Sequence, residues 1–300
     1  MTTVMMRPDA AETPDAARGM DSVAIICGGG SFPAAVAEAV LRSGRRPVMF
    51  GIRGWADPVC VQRYPHRWVA LGQLGRLLRL ARLEGCGEAV FIGSLLRPPL
   101  AKIRLDWQTV RVIPEIVRAF RGGDDQLLKG VAAIIEHAGL RIVGLETVAP
   151  EILVPEGTLT HRQPEDRDKN DIARALAVIA ALGPFDVGQA AIVADNHVLA
   201  VEAADGTDNM LARIAEMRDQ GRVTARMGAG VLVKSPKPGQ DRRFDLPAIG
   251  PQTVENVARA GLAGVAVTAG STLIAAPMEV IAGADRANIF LVGVGEVAPP

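Results

Sequence analysis

Short apolar runs alternate with stretches of helical spacing along the first half of the chain. The apolar runs have the length of buried strands, and we predict strands over residues 22–27, 47–52, 88–92 and 140–148. Apolar positions three and four residues apart predict helices over residues 33–42, 71–83, 109–120 and 125–138. Strands and helices in this order are typical of a mostly parallel sheet with helices on both faces. The pattern therefore predicts a Rossmann-like N-terminal domain over residues 22–155.

The pattern changes after a polar segment, residues 156–169, which we interpret as a linker to a second domain. Beyond it the sequence predicts a β-hairpin from residues 189–194 and 198–203. Further helices are predicted over 172–182, 209–220 and 252–260, strands over 230–234, 264–268 and 289–293, and a long loop over 235–247. We therefore expect an α/β protein of two domains, the second a mixed α/β domain over residues 170–300 that carries the chemistry.

Composition narrows the class of protein. Lys and Arg number 33, as do Asp and Glu, so the formal net charge is zero, and aromatic residues make up only 4%. Neither a basic field nor a base-stacking surface is indicated, and we expect no nucleic-acid partner. Residues 1–21 lack the features of a signal peptide and are expected to form a disordered leader. Three widely spaced cysteines and the lack of a long apolar stretch favour a cytoplasmic protein.

Glycines follow the first predicted strand, at Gly28, Gly29 and Gly30, with Ser31 before the helix. Backbone N–H groups at the start of a helix suit a phosphate, although a tight strand-to-helix turn explains the same residues. Pro33 stands where a dinucleotide fingerprint has Gly or Ala, and the second strand ends without a ribose-binding acid. Both features disfavour a nicotinamide-dependent oxidoreductase.

A second glycine pair precedes a predicted helix at Gly122-Gly123-Asp124-Asp125. An Asp at a helix start is usually a cap, but two adjacent acids after two glycines could instead hold hydrated Mg²⁺. The spacing alone leaves both interpretations open.

The segment from Glu202 to Asp245 is the richest in charged side chains. It contains two ammonium groups and four carboxylates, those of Lys234, Lys237, Glu202, Asp208, Asp241 and Asp245. Phosphoryl transfer requires cations that neutralise charge on phosphate oxygens and acids that position a metal and an attacking water. Asp245 stands between Phe244 and Leu246, where a carboxylate is costly unless it is paired or metal-bound. A solvated loop in which Asp245 caps the following helix is the alternative.

Several motifs, taken together, resemble one family. They are GGGSFP, GIRGWAD, GDDQLL, TVAPEILVPEG, EAADGTDNMLAR, KSPKPGQDRRFDLPAIGPQTVE and IFLVGVG. Their order is similar to that in the LpxI-type UDP-2,3-diacylglucosamine pyrophosphatases, and the resemblance covers roughly residues 22 to 295. The stretch VLVKSPKPGQDRRFDLPAIGP is its most specific part.

The resemblance implies an activity and a set of site residues. Members of the family hydrolyse UDP-2,3-diacylglucosamine to UMP and 2,3-diacylglucosamine 1-phosphate (lipid X), with Mg²⁺, by attack of water on the α-phosphate. They do so in the lipid A biosynthesis of Gram-negative bacteria, and the essential acid of their F-D-L-P motif matches Asp245. Lys234 and Lys237 are expected to steady the charge on the phosphate. The expected substrate-binding residues are Gly28, Gly29, Gly30, Ser31, Gly123, Thr207 and Gln240, and the candidate metal ligands are Asp245, Asp208, Asp241, Asp124 and Asp125.

Two other functions fit the same residues. One is a non-catalytic module that binds a nucleotide or a lipid, and the other is a pyrophosphatase for a soluble nucleotide sugar. Binding without turnover would indicate the first, and turnover of a substrate without acyl chains would indicate the second. A homodimer is compatible with a mixed α/β enzyme of this size.

Residues 74–83 form a short basic amphipathic pattern, in which three arginines alternate with leucines. Such a helix could rest weakly on anionic headgroups, which would place the protein on the inner face of the inner membrane. A surface helix with a buried leucine stripe explains the same pattern.

Overall fold

The computed structural model describes residues 21–95, 106, 107, 109 and 124–296, and for residues 124–128 it describes the backbone alone. The strands of this part of the chain are β1 (Ser22–Cys27), β2 (Arg46–Ile52), β3 (His66–Val69), β4 (Cys86–Ile92), β5 (Arg141–Ile142), β6 (Gly157–Thr158), β7 (Ala190–Ala194), β8 (His197–Val201), β9 (Val231–Lys234), β10 (Ala248–Ile249), β11 (Gly264–Thr268), β12 (Leu273–Ile274) and β13 (Phe290–Val294). Its α-helices are α1 (Phe32–Arg42), α2 (Pro58–Val61), α3 (Leu74–Leu83), α4 (Asp124–His137), α5 (Leu145–Val148), α6 (Asp166–Leu182), α7 (Gly206–Asp219), α8 (Pro251–Arg259) and α9 (Pro277–Arg286).

The first five strands form one parallel sheet in the order β3-β2-β1-β4-β5. All six residues of β1 are buried, because helices pack on both faces of the sheet. The strand order reverses between β1 and β4, which is where sheets of this kind bind ligands beyond their carboxyl ends. The Rossmann-like α/β arrangement predicted for the first half is confirmed.

Two details of this sheet differ from the sequence prediction. The strand predicted over residues 140–148 is wrong, because only Arg141–Ile142 pair with β4 and the chain then forms α5, which begins after Gly144. The strand β3 was not predicted, because its polar residues His66 and Arg67 lie at the sheet edge and are not buried. The helix predicted over residues 109–120 lies outside the described residues except at Thr109.

The later strands form a mixed sheet in the order β6-β13-β11-β9-β7-β8. β9, β11 and β13 are parallel, whereas β7 is antiparallel to both of its neighbours. The predicted hairpin is therefore confirmed, and Asp195 and Asn196 take the positive φ angles (50° and 63°) that its tight turn requires. Since β8 runs in the same direction as β9, the carboxyl ends of β8, β9 and β11 meet at one edge of the sheet.

The segment predicted as a linker, residues 156–169, has secondary structure at both ends. Gly157–Thr158 pair with β13, and α6 begins at Asp166 behind a capping box between Glu165 and Asp168. α6 then packs on β7 and β9. The division at 156–169 stays a prediction, and the predicted leader lies outside the described residues up to Met20.

The loop between β9 and β10 joins the two halves of the molecule. Phe244 packs against Phe91 of β4, with ring centroids 5.0 Å apart, within the core cluster on one face of the first sheet. Leu246 packs against the cluster on the opposite face. The loop therefore crosses the first sheet at the carboxyl end of β4, with one apolar side chain on each face.

The three cysteines and the helices have properties that bear on location. Cys27, Cys60 and Cys86 are free thiols, and burial raises the pKa of Cys27 and of Cys86 to about 12. These two thiols are therefore poor nucleophiles at neutral pH. None of the helices in the described part of the chain has the length and apolar character needed to cross a membrane.

Candidate active site

The glycine loop after β1 uses part of its hydrogen-bonding capacity on the chain itself. The N–H of Gly28 donates to the carbonyl of Ile92 at 3.0 Å, and the N–H of Gly29 donates to that of Ser94 at 3.0 Å. These bonds prolong the pairing of β1 with β4 beyond the ends of both strands. Those two N–H groups are thus not available to a phosphate. The exposed residues Gly30 and Ser31 at the start of α1 remain, and their binding of substrate stays a prediction.

Replacing Gly28 by Ala is expected to lower the free energy of unfolding by about 1–3 kcal/mol. The reason is steric, because an added Cβ would lie 2.3 Å from the carbonyl oxygen of Ser94. Gly87→Ala in β4 is the matched control, since nothing lies within 4 Å of a Cβ built there. Urea unfolding of both variants measures the difference, and equal midpoints would contradict the close packing of the loop.

The predicted site at Gly123, Asp124 and Asp125 lies outside the described side chains. Its helix, α4, is described further along and lies against the loop between β9 and β10. The ammonium group of Lys129 donates to the carbonyl of Gly239 at 2.7 Å. One turn from the end of α4, Glu136 forms a 2.8 Å ion pair with Arg243. The roles of Asp124 and Asp125 as metal ligands stay a prediction.

Lys234 stands at the carboxyl end of β9 and is the most buried charged group of the site, with 6% of its surface exposed. Its ammonium group donates to the carbonyl of Ala248 at 2.9 Å. Burial lowers the pKa of Lys234, while the negative charges of Glu202, Asp208 and Asp245 oppose that shift. These three acids therefore lie close enough to act on Lys234 electrostatically, as the sequence analysis expected for a phosphoryl-transfer site.

Glu202 follows β8 and is held by the chain around it. Its carboxylate accepts the N–H of Gln189 at 2.9 Å and the hydroxyl of Thr207 at 2.6 Å. Asp208, one residue further along α7, accepts the side-chain amide of Asn256 at 2.9 Å. The predicted substrate-binding residue Thr207 therefore contacts an acid of the site, at the edge where β8 and β9 end.

Asp245 lies opposite this edge, on the loop that crosses the first sheet. Its carboxylate is open to solvent and accepts the side-chain amide of Gln240 at 2.5 Å. The protein atoms packed around it still raise the pKa of Asp245 by desolvation, while the charges of Lys237 and Lys234 and the Gln240 bond lower it. Because it is exposed, Asp245 does not sit in the apolar surround that the sequence suggested; water and ligands reach it directly.

Lys237 and Asp241 occupy the same loop but have partners of their own. The ammonium group of Lys237 forms an ion pair with Asp186, and its backbone N–H donates to the side chain of Gln240 at 2.9 Å. Asp241 is bound by the guanidinium of Arg243 at 2.8 Å, and this hydrogen bond lowers the pKa of Asp241. An acid held by a guanidinium is a poorer metal ligand than an open one, so the structure favours Asp245 and Asp208 over Asp241.

The residues at the site can be tested against the expected Mg²⁺. In the described part of the chain, no three His, Cys, Asp or Glu side chains converge on a point where a metal could bind. Mg²⁺ does not need such a cluster, because it commonly binds through one or two carboxylates, water and substrate phosphates. Three carboxylates around one ammonium group also leave an excess of negative charge that a divalent cation would balance. The donor set therefore fits the ion, with Asp245 as its most accessible ligand.

Some contacts of the site were not predicted from the sequence. Asp186 and Gln189 precede and begin β7, and no motif marks either of them. Asn256 carried a signal, because it is a polar residue among the buried positions of α8. Its bond to Asp208 explains that position.

Comparison with known proteins completes the picture. A family model described as the LpxI N-terminal domain matches residues 22–152, and one described as the LpxI C-terminal domain matches residues 155–292. The UDP-2,3-diacylglucosamine pyrophosphatase LpxI of Caulobacter vibrioides is 39% identical over 275 residues, which cover 92% of this chain and 98% of that protein. A solved UDP-glucose 4-epimerase from Brucella ovis, in complex with NAD, aligns over 93% of this chain and 88% of that chain at 11% identity, but its TM-score of 0.27 is too low to support an argument. The two domain models and the relative show that the chain belongs to the LpxI family.

Proposed function

We propose that the chain hydrolyses UDP-2,3-diacylglucosamine to UMP and 2,3-diacylglucosamine 1-phosphate (lipid X), with Mg²⁺, in lipid A biosynthesis. The relative named as a pyrophosphatase for this lipid-linked nucleotide sugar supports the substrate. The observation that carries the chemistry is the meeting of Asp245 with Lys234 and Glu202, where the loop from one half faces the sheet edge of the other.

Each residue of the site has a role in this proposal. Water attacks the α-phosphorus, the bond to the bridging oxygen breaks, and the sugar 1-phosphate leaves. Asp245, which is open to solvent, orients the water and accepts its proton, directly or through a second water. Lys234 offers positive charge to the phosphate from the end of β9, and Lys237 offers it from the loop.

Two further groups would complete the site. Asp245 and Asp208 would hold the Mg²⁺ ion, which when bound neutralises charge on the diphosphate and polarises the attacking water. Gln240 holds the carboxylate of Asp245 in place through its 2.5 Å bond. Thr207, bound to Glu202, lies at the start of α7, where its backbone N–H faces the positive end of the helix dipole and suits a phosphate.

Turnover in H₂¹⁸O tests the position of attack. The purified chain is incubated with UDP-2,3-diacylglucosamine and Mg²⁺, and both products are analysed by mass spectrometry. Label in UMP is expected, because the water oxygen stays on the α-phosphorus. Label in the lipid phosphate would place the attack on the other phosphorus and overturn the mechanism.

The same assay separates the alternative functions. UDP-N-acetylglucosamine, which has no second acyl chain, is the matched control substrate, and its turnover at an equal rate would indicate a pyrophosphatase for soluble nucleotide sugars. Tight binding of the diacylated substrate without any UMP would indicate a non-catalytic module.

The location of the proposed substrate bears on the location of the enzyme. A diacylated sugar nucleotide resides at a membrane surface, and its UDP group must come from the cytoplasm. We therefore propose a cytoplasmic protein in weak contact with the inner face of the inner membrane. The homodimer expected from the size of the chain stays a prediction.

A further inference from the structure

The outer face of α3 carries arginines that no acid balances. Arg76, Arg79 and Leu83 point within about 60° of one another around the helix axis. Leu77, Leu78 and Ala81 occupy the opposite side, where they are buried against the first sheet. The leucine stripe therefore accounts for the inner face of α3, and the arginines need a separate explanation.

Arginines elsewhere on the first half are paired with acids. Ion pairs of 2.6 to 3.0 Å join the following pairs: Arg42 with Glu151, Arg45 with Glu88, Arg46 with Glu84 and Arg67 with Glu84. In the described part of the chain no ion pair joins Arg76, Arg79 or Arg82 to an acid, and Arg82 donates to the carbonyl of Ala138 at 2.6 Å. The outer face of α3 is thus a concentration of uncompensated positive charge.

These arginines border a cavity of about 460 Å³. Its lining consists of Gly75, Arg76, Arg79, Arg82, Asp106 and Trp107. Asp106 does not neutralise the arginines at close range, because its carboxylate accepts backbone N–H groups at Arg76 and Thr109, each within 2.9 Å. Those bonds lower the pKa of Asp106 and hold residues 106 to 109 against the start of α3.

Large apolar side chains stand beside this charge. Trp107, in the lining of the cavity, is 69% exposed, and Leu83, at the end of the same helix face, is 75% exposed. An exposed Trp next to arginines is typical of surfaces that meet the interface between water and a bilayer, because the indole has an apolar body and a polar N–H group. A soluble phosphate ester would need the arginines but would leave both apolar side chains in water.

We propose that the outer face of α3, with Trp107 at its rim, is the surface by which the protein docks on anionic membranes. Arg76 and Arg79 bind headgroup phosphates, Arg82 lies at the edge of the contact, and Trp107 and Leu83 enter the headgroup layer. This contact is electrostatic in origin, and it does not require that the enzymatic proposal be correct. If both hold, docking keeps the enzyme at the surface where its lipid substrate resides.

Vesicle binding of the full chain tests the proposal. Wild type is sedimented with vesicles of phosphatidylcholine alone and of phosphatidylcholine mixed with phosphatidylglycerol, at low ionic strength. Binding is expected only to the mixed vesicles. The double variant Arg76→Gln/Arg79→Gln is expected to bind about 30-fold more weakly, since each arginine near an anionic surface contributes about tenfold or slightly less. Trp emission should shift to the blue on binding in wild type and not in Trp107→Phe, because Trp55 and Trp68 are partly buried in the protein.

The control is Arg222→Gln/Arg286→Gln, which removes the same charge from two exposed arginines outside α3. Equal loss of vesicle binding in both double variants would show a general charge effect and overturn the proposal. So would binding of inorganic phosphate without binding of vesicles, which would indicate a pocket for a soluble phosphate ester. Hydrolysis of detergent-dispersed substrate by Arg76→Gln/Arg79→Gln should match wild type, so a failure of catalysis in both proteins would count against the enzymatic proposal alone.

Discussion

Replacing Asp245 by Asn is expected to lower kcat/KM for the lipid-linked substrate by about 10²–10⁴-fold, with the protein still folded. Asn has the same shape and can still accept the hydrogen bond of Gln240, so the loop should keep its position. What it loses is the negative charge that the proposed mechanism needs to take a proton from water and to hold Mg²⁺. Measurement of UMP release over a range of substrate concentrations gives the effect.

The stability of Asp245→Asn provides the control. The pKa of Asp245 is raised in the folded state, so its ionised form costs the fold free energy, and this cost is absent below the pKa of the unfolded chain. The cost appears as the pH rises through the folded-state pKa. Asn carries no charge, so the variant should melt at or above the temperature of wild type at neutral pH, and any advantage should shrink in acid. A variant that melts well below wild type at neutral pH would show that Asp245 is structural.

Replacing Lys234 by Met is expected to reduce turnover by about 10²–10³-fold and to cost about 1–3 kcal/mol of stability. Met fills most of the space of the lysine, but the carbonyl of Ala248 loses its donor. Glu202, Asp208 and Asp245 also lose the positive charge among them. Activity assays and urea unfolding measure the two effects separately.

Lys237→Met is the matched comparison, because it removes an ammonium group of the same loop that binds Asp186 at the surface. An exposed ion pair contributes little to stability, so this variant should unfold close to wild type. A loss of stability in Lys237→Met as large as that in Lys234→Met would contradict the structural distinction between the two lysines.

The sequence predicted the parts of the fold that follow from long apolar runs. The strands at Ser22–Cys27 and Gly264–Thr268 are buried on both faces, so nearly every residue is apolar and the pattern identifies them. The short edge strands carry no such pattern. His66–Val69 contains polar residues because one edge of it is open, and Arg141–Ile142 is too short to be distinguished from the loop that follows.

The chemical groups of the site were predictable from the sequence, whereas their partners were not. Lys234 and Asp245 are eleven positions apart in the chain, and residue types alone indicated phosphate chemistry. The ion pairs of Asp241 with Arg243 and of Lys237 with Asp186 depend on how the loop turns, which no local pattern encodes. The N–H groups of Gly28 and Gly29 were expected to be open because the pairing of β1 with β4 beyond their ends is a tertiary contact.

The crossing of the first sheet by Phe244 and Leu246 makes catalytic competence a property of the assembled chain. On the proposed mechanism the C-terminal half contains every described acid and lysine of the site, but the position of Asp245 depends on two apolar contacts with the other half. Heat that separates the halves would therefore stop turnover before either core melts. The temperature at which activity disappears would then report the strength of the contact between the halves rather than the stability of the enzyme's most stable part.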